Sequence, residues 1–257
     1  TILFIVGSHA IRCRRRNLAD VGNSKRHKLT HGQKTAVRKT NHANRHRTKN
    51  KKSAIMRTTK KYSMSFTTAG LLRKETIMVA LLYLELQDWS RIHQRVMIEN
   101  CLQLKTANSR RRIFSEIKAR LECLEAAEMK ILCFSSSQDI DIVLWLALCR
   151  RYQFIGNFAR EVLREKFITL QRHIDFSDYA LFVEREAVFH PEILELRDST
   201  CKRLRQMLFQ FMRNCGMLNR ENMILPVIFS PAVDALFAGR NQAEIQYFPV
   251  IRKTGAK

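Results

Sequence analysis

Three consecutive arginines, Arg110-Arg111-Arg112, follow Asn108-Ser109 where an amphipathic segment begins. The start of a helix already carries the positive end of its dipole, and cations added there favour an anion, a polyanion above all. On a helical wheel Ile113, Phe114, Ile117, Leu121 and Leu124 share one face. Arg111, Ser115, Lys118 and Glu122 fall on the opposite face, Arg112 is also exposed, and Arg110 projects from the first turn. Upstream, Asp88-Trp89 opens a short helix that ends near Asn100-Cys101, with Ile92, Val96 and Leu102 pointing inward. Residues 101–107 then form the connection. A short helix, a turn and a second helix headed by cations resembles a helix-turn-helix reader of nucleic acid. A solvated helix face with incidental cations is the plain alternative.

A second basic helix is expected over residues 198–214, with Asp198-Ser199-Thr200 as its cap and Gly216 as its stop. Cys201, Leu204, Leu208, Phe211 and Cys215 make its buried face. Lys202, Gln206, Phe209 and Arg213 make its open face, with Arg203 and Arg205 at the flanks. Met217-Leu218, a polar turn at 219–222 and the apolar stretch 223–229 then suggest a short β-hairpin. Helix followed by hairpin is the layout of a winged helix, and a core helix followed by a loop is the alternative. Phosphate contacts are expected from Arg110, Arg111, Arg112, Lys118, Lys202, Arg203, Arg205 and Arg213. Phosphate contacts position a protein, whereas base edges specify sequence. Few of these residues are placed for bidentate base reading, so weak sequence preference is expected.

Other chemistries lack their residues. No G-x-x-x-x-G-K-[ST] loop and no G-x-G-x-x-G turn is present, so the usual phosphate cradles are missing. No nucleophile–base constellation is suggested. His93, His173 and His190 read as surface or capping residues, and the acids are scattered over helices. Asp139 and Asp141 fit a helix start, without partners for acid–base work. His27/His31 and His42/His46 have i, i+4 spacing in a segment without helical periodicity, and no metal site is assigned to them. The expectation is a protein that is not an enzyme, with no cofactor and no metal.

The elements that hold the basic groups must be mostly helices. Hydrophobic residues make up 46% of the 257, and there are only 8 Gly and 4 Pro, all four prolines in the last third. Residues 71–86 form a long apolar helix that Thr67 or Thr68 can cap. Ser135-Ser136-Ser137 precedes a helix from about 138 to 152 that is apolar nearly all round, the expected central core element. Helices over 154–170 and 177–190 follow, the latter broken by Pro191. The fold class is therefore mainly α: a multi-helix globular body with helix-turn-helix and winged-helix-like parts, a short hairpin and a disordered basic N-terminal tail. Boundaries are expected at 1–61 (tail), 62–133 (helix-turn-helix-like region), 134–240 (winged-helix-like region) and 241–257 (C-terminal tail).

Charge is distributed unevenly. The chain carries 46 lysines and arginines against 23 acids, a net charge of +23, but residues 1–61 hold 18 of the basic residues and a single acid, Asp20. That segment has no hydrophobic period and reads as a polycationic arm that grips phosphates without sequence preference. It also reads as an upstream extension over residues 1–55, because Met56 to Tyr62 looks like the start of a bacterial protein. Seven widely spaced cysteines, odd in number and without a C-x-x-C pair, suit reduced thiols in the cytosol. The longest apolar run, 142–149, is far short of a membrane span of about 18 residues. A cytoplasmic protein with no membrane partner is expected.

Several short stretches also follow the order of a known family. Ser65-Phe66-Thr67-Thr68-Ala69-Gly70-Leu71-Leu72 looks like its opening signature. Asp88-Trp89, Glu99-Asn100, Ser109-Arg110-Arg111-Arg112, Arg151-Tyr152, Arg164-Glu165-Lys166 and Ser230-Pro231 come next in the same order. Residues 63–237 are similar to BrxA, a small protein family of BREX bacteriophage-exclusion systems, through a distributed match rather than one diagnostic motif. The resemblance implies a cytosolic, mostly helical, non-catalytic accessory of phage defence that binds double-stranded DNA and works with other BREX proteins. An older description of the family as an inner-membrane protein is at odds with the hydropathy here. A likeness proposed between the family and NusB-type antitermination proteins keeps RNA as an alternative partner, and a protein–protein adaptor of the defence complex is another. Residues 1–55 lie outside the resemblance.

Overall fold

The computed structural model describes residues 62–67 and 69–251, which belong to one compact unit, Thr59–Lys257. The expectations for the basic tail, for Cys13 and for the two histidine pairs fall outside the described residues.

A helix buried on all sides must be apolar on all sides, and one segment meets that demand. In α5 (Ser137–Arg151) every residue from Ile142 to Cys149 is buried. Ser136 caps it by accepting from the Asp139 N–H at 3.2 Å. Among the described residues four helices precede it: α1 (Arg73–Leu86), α2 (Trp89–Gln94), α3 (Ala107–Leu121) and α4 (Ala126–Phe134). A π-helical turn, Arg95–Glu99, continues α2. After α5 come α6 (Gln153–Phe158), a π-helical turn over Ala159–Arg164, and α7 (Glu165–Ile168), which together form one helical run. The remaining helices are α8 (Phe176–Phe189), α9 (Asp198–Asn214) and α10 (Pro231–Leu236). Helices α3, α4, α6 and α9 all pack against α5, so contacts run directly between residues before and after 134.

Two peripheral segments lock this arrangement. The 3-10 turn Ser65–Thr67 buries Phe66 completely against Tyr152, Phe154 and Phe211. The 3-10 segment Gly239–Tyr247 closes the other side, where its Tyr247 carbonyl accepts from the Trp145 indole at 2.8 Å. Gly156 allows that closure. A Cβ at this position would lie 3.0 Å from the Cys149 carbonyl oxygen and 3.2 Å from the Tyr247 ring.

Several local expectations change. The cap position of α1 is Leu72, in a left-handed conformation (φ 56°) with no side-chain cap; Thr67 belongs to the 3-10 turn instead, and Thr68 lies outside the described residues. Helix α3 opens at Ala107 rather than at Asn108-Ser109, because the Thr106 hydroxyl accepts from the Ser109 N–H at 3.1 Å. Helix α9 has Arg197 at its cap position, with no side-chain cap from the 198–200 trio. Its expected stop does hold. Gly216 is left-handed (φ 70°), and the Met217 N–H returns to the Met212 carbonyl at 2.9 Å. The described cysteines are all free, and only Cys149 and Cys215 are buried. Burial raises both thiols well above the ordinary range, which keeps them protonated and unreactive.

Candidate nucleic-acid interface

Helix α3 rests on an aromatic hinge. Asp88 caps α2 by accepting from the Ser90 N–H at 2.7 Å, which turns the next residue, Trp89, onto Tyr83 (ring centroids 4.4 Å apart) and Phe114 (6.3 Å). The chain then reverses at Asn100, which is left-handed (φ 50°) and whose side chain accepts from the Leu104 N–H at 2.9 Å. Asparagine tolerates that conformation better than most residues. The apolar stripe then docks as its spacing requires, with Phe114, Ile117, Leu121 and Leu124 buried and Ile113 half-buried.

The predicted cations on α3 separate into two kinds. Arg111 and Arg112 are exposed, and the Arg111 guanidinium reaches the Asn108 side chain at 3.4 Å. Arg110 does not project outward. It folds back to donate to the Leu104 carbonyl at 3.2 Å, and its buried Nε finds no hydrogen-bond partner. Lys118 lies 5.4 Å over the Trp89 ring and 3.7 Å from Glu122. A cation between a ring and a carboxylate has less charge to offer a phosphate.

Helix α9 separates the same way. Lys202 and Arg203 are exposed near its start. Arg205 stacks over Phe176 with its guanidinium 4.1 Å from the ring centroid. Arg213 donates to the Asn222 side chain at 2.7 Å and lies over Phe209. Phe209 itself is 1% exposed, not on an open face, because Phe176 from the start of α8 covers it edge-on at 5.2 Å.

The hairpin after α9 forms without reaching the length of a strand. Leu218 and Ile224 make an antiparallel bridge, the Leu225 N–H donates to Met217 at 2.9 Å and the Asn219 N–H to Met223 at 3.1 Å. Asn222 closes the turn in a left-handed conformation (φ 59°). A third arm joins from another part of the chain. Ile224 donates to the Arg172 carbonyl at 2.6 Å, and His173 bridges Met223. Two exposed cations, Arg220 at the turn and Arg172 on the third arm, were not singled out in the sequence. Arg220 was visible as part of the polar tetrad. Arg172 was hidden by the distance along the chain between the two arms.

The two basic helices are linked through a buried cation that also went unnoticed. Arg120, 2% exposed, is the penultimate residue of α3. It pairs with Glu116 at 2.8 Å, donates to the Gly70 and Leu71 carbonyls, and stacks over Phe211 of α9 at 5.8 Å. The Tyr152 hydroxyl donates to the same Glu116 at 2.5 Å. Burial, with that carboxylate, pushes the phenol up to about 12. A second buried cluster holds the other flank. Arg150 makes bidentate contacts with both Glu128 and Glu244 at 2.6 to 2.8 Å, tying α5 to α4 and to the 3-10 closure. Among the described residues no group of three or more His, Cys, Asp or Glu could hold a metal ion, and no helix is long and apolar enough to cross a membrane.

Comparison with known proteins bears on the whole described body. The sequence profile of the BrxA family matches residues 60–241, well over half of the chain. The chain belongs to the BrxA family. Two relatives named BREX protein BrxA are each 20% identical to it. The match to the one from Bacillus cereus (strain H3081.97) covers 51% of this chain and 65% of the relative, just under two thirds of its length. The match to the one from Escherichia coli O9:H4 (strain HS) covers 68% of this chain and 83% of the relative. A crystal structure of an uncharacterized protein from Magnetospirillum magneticum has a similar fold, with a TM-score of 0.62 and 19% identity over 74% of this chain and 98% of that one. The BrxA-family match begins at residue 60, at the end of the basic tail, and takes in both α3 and α9.

Proposed function

We propose that this BrxA-family chain is a non-catalytic, duplex-DNA-binding accessory of a BREX phage-defence system, acting beside other BREX proteins. The observation that carries the reading is a pair of exposed basic turns, Arg111/Arg112 on α3 and Lys202/Arg203 on α9. They stand on helices joined farther along by Arg120 and Phe211. Arg112 precedes Arg120, and Arg203 precedes Phe211, by about 12 Å of helix each. With the stacked side chains between, the two turns lie at most about 40 Å apart, on the scale of one turn of duplex, ~34 Å. That separation suits contact of both turns with one duplex. The hairpin beside α9 carries Arg220 at its turn, and in this reading it serves as a wing against the adjacent backbone.

Of the eight cations expected from the sequence, this reading assigns direct phosphate contact to Arg111, Arg112, Lys202 and Arg203. Arg110, Lys118, Arg205 and Arg213 support the surface through Leu104, Trp89, Phe176 and Asn222. A protein–protein adaptor would use Phe209 on the open face together with the basic surface, and Phe209 is buried.

The test is duplex binding titrated with salt. Each phosphate contact contributes about 0.9 to the slope of log affinity against log salt. Reversing Arg111, Arg112, Lys202 and Arg203 to glutamate lowers that slope by roughly 3 to 4 and weakens binding at least ten-fold, with the melting curve unchanged. Binding that is absent, or flat with salt, defeats the proposal. A preference for hairpin RNA over duplex DNA transfers the same surface to an RNA role.

A further inference from the structure

One face of the molecule departs from the basic character of the rest. On α8 the side chains of Leu181 and Val188 are 61% and 75% exposed, and Phe189 and Leu194 border them at 68% and 72%. Glu184 and Arg185 lie between the two aliphatic residues and are exposed as well. This stripe edges a shallow cavity of about 510 Å³ whose other wall carries Glu161, Val162 and Lys166. Arg185 lies 3.7 Å from Glu161, and Lys166 pairs with Asp178 at 2.7 Å. Three acids (Glu161, Asp178, Glu184) thus face two bases (Lys166, Arg185) around the stripe, in a chain of net charge +23. Glu161 and Glu184 would repel a phosphate backbone, so this is not an extension of the basic surface.

The order of residues along the stripe has a symmetry of its own. Leu181 and Val188 stand equally far on either side of the Glu184–Arg185 midpoint. An antiparallel copy of the same helix, placed on a two-fold axis through that midpoint, sets each Leu181 against the copy's Val188 and each Glu184 against the copy's Arg185. A two-fold interface requires one surface to be complementary to itself, and this surface is.

We propose that the chain forms a two-fold homodimer through α8, with Leu181 and Val188 as its apolar contact and the reciprocal Glu184–Arg185 pairs fixing its direction. The aliphatic pairs supply the attraction, because exposed ion pairs add little to stability while setting orientation and partner choice. The apolar contact is small, so association is weak and concentration-dependent. A like-charged chain can approach here because Glu161, Asp178 and Glu184 outnumber Lys166 and Arg185 on this face. The basic tail opposes association at low ionic strength, and that repulsion is screened beyond about 8 Å in physiological salt.

Sedimentation velocity of the full chain in physiological salt, from low micromolar to near-millimolar concentration, tests the proposal. A concentration-dependent dimer is expected. The pair Leu181→Glu with Val188→Glu raises its Kd at least ten-fold while the melting curve stays in place. Glu184→Arg alone and Arg185→Glu alone each weaken it. The double swap Glu184→Arg/Arg185→Glu recovers most of that loss, because each reversed charge again faces its opposite across the axis. Recovery of this kind arises only where both residues face each other's copies. A chain that stays monomeric throughout overturns the proposal. So does a dimer indifferent to these variants, or a double swap no stronger than the singles.

Discussion

Several side chains that share a helical phase with solvent in the sequence are taken up by neighbours that are distant in sequence. Phe209 is the clearest case. Its position on α9 puts it on the polar side of the wheel, beside Lys202, Gln206 and Arg213. Phe176, at the start of α8, packs edge-on against it, and the guanidinium of Arg213 lies over its ring. Truncation should therefore cost stability and not merely a contact surface. Phe209→Ala is expected to lose about 3–5 kcal/mol, the usual range for a buried phenylalanine. Urea denaturation of the purified variant measures it, and a loss below about 1 kcal/mol would mean that the ring is dispensable. Arg205 follows the same logic, since its guanidinium lies over the Phe176 ring, 4.1 Å from the centroid. The basic residues of this surface thus do two jobs. Arg205 and Arg213 build an aromatic stack, and Lys202 and Arg203 stay exposed.

At the level of elements, the sequence is most informative where a stretch has a single periodicity. The stripe of α3, the all-round apolarity of α5 and the glycine stop of α9 are each written in consecutive residues. They form as their spacing requires because one helix face, one core or one left-handed position decides the outcome locally. Helix starts were harder to place. Thr106 competes with Asn108 and Ser109 for the same orphan N–H groups, and only the path of the preceding loop selects among them. The contact between α6 and α5 rests on Gly156, where no side chain fits between the Cys149 carbonyl and the Tyr247 ring. The carbonyl belongs to the backbone of the most buried helix and cannot give way cheaply. Gly156→Ala is expected to destabilise by about 1–3 kcal/mol, the cost of overpacking. The gain in helix propensity recovers no more than about 1 kcal/mol of that. The thermal midpoint relative to the parent chain checks it, and a rise would show that α5 and the 3-10 closure can separate.

For the whole molecule, the distribution of charge matters more than its total. The net +23 is concentrated in residues 1–61, whereas the family match begins at residue 60. A chain shortened to begin at Met56 is expected to bind duplex more weakly and with a shallower salt slope, because most of the non-specific charge has gone. The loss caused by reversing Arg111, Arg112, Lys202 and Arg203 should be proportionally larger in that shortened chain. Comparing the two slopes measures it. An equal proportional loss would mean that the tail and the body do not contribute additively to binding.

The sequence alone determined the helical class, the central helix, the two basic amphipathic helices and the family, because each depends on local periodicity or on a distributed pattern of residues. Tertiary structure decided which cations face outward. That choice depends on what stands beside each one: Leu104 for Arg110, Trp89 for Lys118, Phe176 for Arg205 and Asn222 for Arg213. A charged side chain with a long stem gains by lying along an apolar surface when one is within reach. Only the folded chain brings those surfaces near, and it leaves Arg111, Arg112, Lys202 and Arg203 exposed on the outside.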